Sequence, residues 1–223
     1  MLPTARPPAV PAPLVWTESG TLICGAERFD PWAMVWCPLV GEVAEVVRSV
    51  TPVEAVTLLT ASGRMRRVPV GIIGPKNANA EQEAVAEALG RAFARMGLTL
   101  LTGGRKGVME AASRGAFVAG GMTVGIIPDD EWGSANPYVT IPLATGLGPA
   151  RNAVVARACE VLVAVGGEYG TLSEMAFGMH FNRLVLALLN APNVPGVQVC
   201  ETVDDVLPLV AARLLRLNGA VAP

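Results

Sequence analysis

Histidine and clustered cysteine, the residues that most often hold a transition metal, are nearly missing from this chain of 223 residues. One histidine is present, His180, and the cysteines Cys24, Cys37, Cys159 and Cys200 form no C-x-x-C pair. This spacing argues against a zinc site and against a disulfide framework. We therefore expect reduced thiols, no bound metal, and a helix-end or interface position for His180 rather than a catalytic one.

Charge is also scarce and nearly balanced. Asp, Glu, Lys and Arg make up 16% of the residues, the net charge is -2 and the pI is near 5.5. Such a chain does not attract nucleic acid over a broad surface, so no nucleic-acid partner is expected. No apolar run approaches the ~18 residues that span a bilayer, and the N-terminus lacks the apolar segment of a secretory signal. We expect a cytoplasmic protein without a membrane partner.

Apolar residues, by contrast, make up 52% of the chain and suffice for one globular core. Residues 1–13 contain five prolines, a composition that favours an extended, flexible arm. Residues 14–67 mix turn residues with aromatic and β-branched residues, so we expect a small β-rich appendage of short strands and a helix. Within it, the segment 41–59 predicts a short helix that includes Val46 and Val50, followed by an apolar strand.

From residue 68 onward, short apolar runs alternate with helical patterns. Strands are predicted at 68–73, 98–101, 123–127, 161–165 and 184–189, and helices at about 80–96, 108–119, 150–158, 172–181 and 203–217. Strands this uniformly apolar are buried on both faces, which is typical of a parallel sheet covered by helices. Residues 68–223 are therefore predicted to form a doubly wound, mainly parallel, Rossmann-like α/β domain.

Two glycine-rich turns are the main indication of a binding site in this sequence. Each directly follows an apolar strand and opens a helical pattern; they read Gly103-Gly104-Arg105-Lys106-Gly107 and Gly166-Gly167-Glu168-Tyr169-Gly170-Thr171. A third loop, Gly74-Pro75-Lys76-Asn77, follows the first regular strand. In a parallel sheet these loops meet at the carboxyl ends of the strands, where free backbone N–H groups and helix N-termini bind phosphate. A shared phosphate-binding crevice is predicted, although tight structural turns would need the same glycines.

Charged residues beside these turns are candidates for chemistry. Arg151 and Asn152 open a helix, where a cation opposes the helix dipole unless an anion or a carboxylate faces it. An exposed surface arginine is the alternative. Glu174 either faces the sugar of a ligand or forms, with Thr171, a capping box that stabilises its helix by about 1 kcal/mol. Because arginine stays protonated, Glu174 is the candidate for any acid or base step.

The connection at 128–148 is long for such a domain. Its glycine, proline and tryptophan content suits a flap over the site. Its acidic run Asp129-Asp130-Glu131 is predicted to be a solvated loop rather than a metal site.

Three motifs occur together between residues 68 and 189. They are Gly103-Gly104-x-x-Gly107-Val108-Met109-Glu110, the helix start Ala150-Arg151-Asn152, and Gly166-Gly167-x-x-Gly170-Thr171-x-x-Glu174. With these motifs the chain resembles the Lonely Guy-like, or SLOG, Rossmann family, and more closely its branch with the molybdenum-cofactor carrier proteins. In Lonely Guy enzymes the corresponding arginine and glutamate serve hydrolysis of the N-glycosidic bond of a cytokinin nucleoside 5'-monophosphate, while the glycine turn holds the phosphate.

The resemblance implies a catalytic pair, Arg151 and Glu174. Together with the loops, it predicts a ligand- and phosphate-binding set that comprises Gly74, Asn77, Gly103, Gly104, Gly107, Met109, Asn152, Gly166, Gly167, Gly170 and Thr171. Two departures from the enzymes stand out: Val165 replaces the proline of their Pro-Gly-Gly, and Asn152 replaces the lysine of their Arg-Lys. The Arg-Asn form resembles the carrier branch, whose proposed role is to bind a phosphorylated pterin-molybdenum ligand without breaking it.

Two functions follow from these features. The first is binding of a phosphorylated nucleotide, with phosphoribohydrolase activity on nucleoside 5'-monophosphates. The second is a molybdenum-cofactor carrier or a nucleotide sensor without catalysis. Neither requires a resident cofactor, because the nucleoside monophosphate or the phosphorylated pterin is the ligand.

A homodimer or a higher homo-oligomer is also expected. The mean hydropathy is +0.45, and Met175, Phe177, Met179 and Phe181 offer an apolar helix face to a partner. Dimers are usual in the family that the chain resembles. The alternative is that these four side chains fill the chain's own core.

Overall fold

The computed structural model describes residues 13–41 and 45–217. The Pro-rich arm predicted at 1–13 lies outside this range except for Pro13. Two compact units divide the described chain, one formed by residues 13–67 together with 208–217 and the other by Val68–Leu207. The sequence pattern placed 208–217 in the Rossmann-like domain. They group instead with the N-terminal residues, where the indole N–H of Trp36 donates to the backbone oxygen of Leu215 at 2.7 Å.

The N-terminal unit contains an antiparallel sheet and a helix. Its strands are β1 (Leu14–Thr17), β2 (Leu22–Cys24), β3 (Glu27–Asp30), β4 (Val35–Pro38) and β5 (Val46–Ser49), in the spatial order β4-β3-β2-β1-β5. Helix α1 (Pro52–Ala61) follows β5. Leu22, Phe29 and Trp36 are buried in this unit, and the ring centroids of Phe29 and Trp36 lie 5.2 Å apart. The predicted β-rich appendage is therefore confirmed.

The predicted order of helix and strand at 41–59 is wrong, and residues 42–44 of the predicted helix lie outside the described residues. The strand β5 comes first, and α1 follows it. Helix α1 begins here because Thr51 Oγ1 accepts from the amide of Glu54 at 3.2 Å, while the Glu54 carboxylate accepts from the amide of Thr51 at 2.8 Å. Pro52 adds a residue that needs no N–H at the first helical position.

The second unit contains a parallel sheet of seven strands. They are β6 (Val70–Ile73), β7 (Leu100–Thr102), β8 (Thr123–Ile127), β9 (Ile141–Ala144), β10 (Val161–Val165), β11 (Leu184–Leu188) and β12 (Gln198–Val199), in the order β12-β11-β10-β6-β7-β8-β9. The helices are α2 (Ala80–Arg95), α3 (Val108–Val118), α4 (Arg151–Ala158), α5 (Tyr169–His180) and α6 (Val203–Leu214), which continues into the N-terminal unit. The predicted doubly wound, Rossmann-like fold is confirmed. The edge strands β9 and β12 were not predicted.

Apolar residues explain why the central strands lie inside. Every residue of β6 and β10 is buried, so both faces of these strands must be covered by helices. Met175 of α5 is fully buried in this core, and Met179 and Phe181 pack against it, whereas Phe177 is 38% exposed. The apolar face proposed for a partner subunit is thus smaller than expected, and the homo-oligomer stays a prediction.

Among the described residues, no helix combines the length and the apolarity needed to cross a membrane.

The strand order opens a crevice beside β6. From β6 the chain builds β7, β8 and β9 outward on one side, and then returns to place β10 on the other side. The connections that leave β6 and β10 therefore diverge, and a crevice forms at the carboxyl ends of these two strands. The three glycine loops follow β6, β7 and β10, so all of them reach this edge of the sheet.

Helices α2 and α3 approach closely through two glycines. A Cβ at Gly90 would overlap the backbone oxygen of Ala112, and a Cβ at Gly115 would overlap that of Glu87. We expect Gly90→Ala to lower the free energy of unfolding by about 1–3 kcal/mol, because backbone atoms must move apart. In an exposed helix the same change would raise the free energy of unfolding by about 1 kcal/mol. The sign of the change therefore shows whether α2 and α3 are in close contact at this position.

Urea unfolding followed by circular dichroism measures this effect. Gly133→Ala is the matched control, since a Cβ at Gly133 would meet no atom within 4 Å. Its free energy of unfolding should stay within about 0.5 kcal/mol of the parent. A Gly90→Ala variant as stable as the parent would contradict the close approach of the two helices.

Candidate functional site

Two adjoining chambers form the crevice at the carboxyl ends of the central strands. The inner chamber, of about 240 Å³, is lined by Gly74, Pro75, Lys76, Met109, Arg151, Asn152, Glu168, Gly170, Thr171 and Glu174. The outer chamber, of about 670 Å³, is lined by Lys76, Asn77, Arg105, Lys106, Met109, Pro128, Asp129, Ser134, Gly148, Pro149, Arg151, Asn152 and Gly170. Five residues line both, namely Lys76, Met109, Arg151, Asn152 and Gly170, so the chambers share a boundary.

A buried ion pair lies in the inner chamber. Arg151, the first residue of α4, places its Nη1 at 3.3 Å from Oε1 of Glu174 in α5. The two residues are only 7% and 6% exposed. The carboxylate thus faces the arginine that opposes the dipole of α4, and the alternative of an exposed surface arginine is wrong.

Helix α5 begins earlier than a capping box at Thr171 would require. Its N-cap is Glu168, and both Thr171 and Glu174 lie inside the helix. Gly167 sets this start: its φ of +143° is one that side chains rarely adopt, and a Cβ there would crowd the side chain of Thr171. The capping-box alternative for Glu174 is therefore wrong, and its carboxylate is available to Arg151.

Burial governs the protonation of the pair. Loss of water raises the pKa of the Glu174 carboxyl from 4.5 to about 7, although the Arg151 guanidinium opposes the rise. Burial also lowers the pKa of Arg151, but a guanidinium stays protonated in proteins. The site therefore holds a fixed cation beside a carboxyl that titrates near neutral pH.

Gly103 leaves space for the side chain of Arg151. A Cβ at Gly103 would overlap the guanidinium of Arg151, so a larger residue in the turn after β7 would force this side chain to move. In the same way, a Cβ at Gly74 would clash with the side chain of Val108. The turns after β6 and β7 thus hold glycine because neighbouring groups pack directly against their backbones.

The N-terminus of α5 brings free donors to the inner chamber. The first amides of a helix have no partner within it, and here they belong to Tyr169, Gly170 and Thr171. Gly170 is exposed, and a Cβ there would meet no atom within 4 Å, so a ligand can reach its backbone. Asn152 holds this turn, since its Nδ2 donates to Ser173 Oγ at 2.8 Å. Such an arrangement favours an anion.

The structure brings only some of the predicted ligand residues to the crevice. Gly74, Asn77, Met109, Asn152, Gly170 and Thr171 line a chamber. Among the described residues that line the two chambers, Gly103, Gly104, Gly107, Gly166 and Gly167 are not found. Two of their amides are already in use: that of Gly104 donates to Thr102 Oγ1 at 3.0 Å, and that of Gly166 to the oxygen of Leu188 at 2.9 Å. A ligand contact of these five stays a prediction.

Three cations of the outer chamber were missed as ligand candidates. They are Lys76, Arg105 and Lys106, which lie in the glycine loops after β6 and β7. Their position within those loops is the signal that could have identified them. Arg105 forms an ion pair with Asp129 of the acidic run, and the Ser134 hydroxyl donates to the same carboxylate.

In the part of the chain that the structure describes, no group of His, Cys, Asp and Glu could hold a metal ion.

Residues 67–207 match the SLOG cluster4 family. The chain belongs to this family. The molybdenum cofactor binding protein of Rippkaea orientalis is similar over 66% of this chain and 98% of its own, with 33% identity and a TM-score of 0.63. The molybdenum cofactor carrier protein of Chlamydomonas reinhardtii is similar over 67% and 99%, with 34% identity and a TM-score of 0.62. An uncharacterized protein of Archaeoglobus fulgidus is 34% identical over 141 residues, 63% of this chain and 93% of its own.

The match to the family covers the second compact unit, Val68–Leu207. All lining residues of both chambers lie within it. The resemblance to the branch with the molybdenum-cofactor carriers, inferred from the three motifs, is confirmed. The strands β1 to β5 and helix α1 lie outside the matched range.

Titration of Glu174 adds a pH-dependent contribution to the free energy of unfolding of the parent, and Glu174→Gln lacks this contribution. The folded state holds this proton more tightly than the unfolded chain, so its stabilising effect is complete below pH 4.5 and is lost as the pH rises through about 7. The free energy of unfolding of the parent should therefore fall relative to that of Glu174→Gln over this interval and then level off.

Urea unfolding from pH 4.5 to above pH 7 measures the difference. Glu81→Gln, at an exposed position of α2, is the control and should follow the parent's profile. A difference between parent and Glu174→Gln that stays constant with pH would show that Glu174 does not titrate in this interval.

Proposed function

We propose that the chain binds the molybdenum cofactor, a phosphorylated pterin that carries molybdenum, as cargo in the two-chamber crevice. The observation that carries this proposal is identity of 33% and 34% to two proteins named for binding or carrying this cofactor, over 98% and 99% of their lengths. The crevice lies wholly within the residues that match the family. The alternative function inferred from the sequence is thus favoured over hydrolysis.

The phosphate is proposed to bind where α5 begins. The amides of Gly170 and Thr171 and the positive end of the helix dipole favour an anion there. Arg151 adds a cation whose Nε has no hydrogen-bond partner among the described residues. A buried N–H without a partner costs about 1–3 kcal/mol, and a phosphate oxygen would relieve that cost. Helix, amides and arginine all favour the same charge.

The pterin is proposed to occupy the outer chamber. Its volume of about 670 Å³ lies within the range of small-molecule sites, roughly 300–1,000 Å³. Met109, Pro128 and Pro149 supply apolar walls for a flat ring, and Asn77 and Ser134 supply polar groups for its edge. This mixture of apolar surface and few polar groups is typical of sites that bind a heterocycle.

Hydrolysis of a nucleoside 5'-monophosphate is the second candidate, and one observation favours it. A carboxyl whose pKa is about 7, such as that of Glu174, can take a proton from water that attacks the anomeric carbon. The C–N bond then breaks, and the departing base gains a proton. The same carboxylate would stabilise positive charge on the sugar. Asn152, where the enzymes carry lysine, places this function second.

Loss of the buried cation should weaken cofactor binding. Cofactor released from a molybdoenzyme is mixed with the protein, and the protein fraction from gel filtration is assayed for pterin fluorescence after oxidation. The parent is expected to retain the cofactor, and Arg151→Ala to retain it about tenfold less tightly, because a charge-assisted hydrogen bond is lost. Arg91→Ala, at a partly exposed arginine of α2, should match the parent. A parent that retains no cofactor would overturn the proposed function.

Gly170→Val tests the helix N-terminus without removing a charge. The space beside Gly170 is open, so the variant should fold, but its side chain would project where the phosphate is proposed to bind. We expect cofactor affinity to fall about tenfold or more, since the anion could no longer approach the amides. Gly133→Val is the control at an equally open position. Unchanged affinity in Gly170→Val would move the phosphate to another part of the crevice.

A chromatographic assay with AMP tests the second candidate. Hydrolysis would release free adenine and ribose 5-phosphate in the parent and not in Glu174→Gln. Intact AMP after incubation with the parent would exclude AMP as a substrate, and release that persists in Glu174→Gln would exclude Glu174 as the catalytic carboxylate.

A further inference from the structure

The outer chamber is lined by three cations that do not belong to helix α5. Lys76 follows β6, while Arg105 and Lys106 follow β7, and all three line this chamber. Asp129 is the one carboxylate among its described lining residues. The chamber is therefore positive on balance even before Arg151, which lies at its boundary with the inner chamber, is counted.

The backbone of Arg105 is fixed, but the carboxylate that pairs with its guanidinium can be displaced by another anion. The turn itself is fixed, since Asn136 donates from Nδ2 to the oxygen of Arg105 and from its amide to the oxygen of Gly104, both at 2.9 Å. The ion pair with Asp129 is screened by solvent, because the two side chains are 42% and 46% exposed. An ion pair this exposed contributes about 0–1 kcal/mol, so a doubly charged oxyanion can displace the carboxylate.

We propose that Arg105, with Lys76 and Lys106, forms a second anion subsite, so that the crevice takes a phosphorylated ligand whose opposite end carries another oxyanion. Without ligand, the Asp129 carboxylate pairs with the Arg105 guanidinium, and the Ser134 hydroxyl donates to that carboxylate. When the oxyanion of the ligand displaces Asp129, the Ser134 hydroxyl donates to the ligand instead. This assignment rests on the proposed function and deepens it, because it defines the cargo as a molecule with two anionic ends.

The two subsites are close enough to act on one molecule. After burial and Glu174, the groups that act on the pKa of Arg151 are Arg105, which lowers it, and Asp129, which raises it. Arg151 and Gly170, which the proposed function assigns to the phosphate, also line the outer chamber together with Arg105 and Lys106. Lys76 lines both chambers and can follow an anion at either end.

Two sugar phosphates that differ by one phosphate test the second subsite. Fructose 6-phosphate and fructose 1,6-bisphosphate are titrated into the protein by calorimetry at one fixed ionic strength. We expect the parent to bind the bisphosphate about tenfold more tightly. Arg105→Ala should weaken binding of the bisphosphate much more than binding of the monophosphate, so that the ratio of the two affinities falls towards one. Asp129→Asn should raise the affinity for the bisphosphate about threefold, because the internal competitor is gone.

Matched controls come from an ion pair outside the crevice. Arg91→Ala and Glu87→Gln make the same changes of charge at the pair of α2, in which Arg91 Nη2 lies 2.7 Å from Glu87 Oε1, and should behave as the parent. Thermal unfolding of each variant shows whether it folds. The opposite effects expected for Arg105→Ala and Asp129→Asn cannot both arise from loss of structure.

Several outcomes would overturn the second subsite. They are equal affinity of the parent for both sugar phosphates, no measurable binding of either, an equal loss of both in Arg105→Ala, and lowered bisphosphate affinity in Asp129→Asn. Retention of the molybdenum cofactor that depends on Arg151, combined with any of these, would leave the proposed function standing. A parent that binds the bisphosphate through Arg105 but retains no cofactor would instead overturn the proposed function alone.

Discussion

The buried pair of Arg151 and Glu174 is the interaction around which the crevice is arranged. Removing two charges from water is costly, and their attraction offsets that cost only when neighbouring elements hold them together. Three elements do so here: the turn after β7 leaves space at Gly103, α4 begins at the arginine, and α5 carries the glutamate in its second turn. Helix α5 begins early, with Glu168 as its N-cap, and a start at Thr171 would instead place Glu174 in the first turn.

The charges of the crevice explain why one site suits both a carrier and a hydrolase. A fixed cation and free helix amides favour a phosphate in either of the two proposed functions. The carboxyl of Glu174, with its pKa near 7, adds a group that can exchange a proton, but binding alone does not need that exchange. Which of the two proposed functions the site performs depends on the ligand that the outer chamber accepts, and the cations of the glycine loops line this chamber together with Arg151.

Much of the fold could be predicted because its signals are local. The apolar runs of β6 and β10 indicate strands buried on both faces, and glycine at strand ends marks the turns. Short elements were less predictable. The strand β9 contains Pro142 and shows no alternation, while the valines before Thr51 fit a helix and a strand equally well over so few residues. There the capping hydrogen bonds of Thr51 and Glu54 decide where the helix begins.

The parallel sheet, the positions of the glycine turns and the residue types that surround the crevice can be predicted from the sequence, since they depend on neighbours a few positions apart. Which charges meet depends instead on the packing of distant segments. Arg151 and Glu174 are 23 residues apart, and Arg105 and Asp129 are 24 apart, so each pair forms because separate strand ends converge on one edge of the sheet. The pattern Thr171-x-x-Glu174 is equally compatible with a capping box, and packing between α4 and α5 selects the ion pair instead.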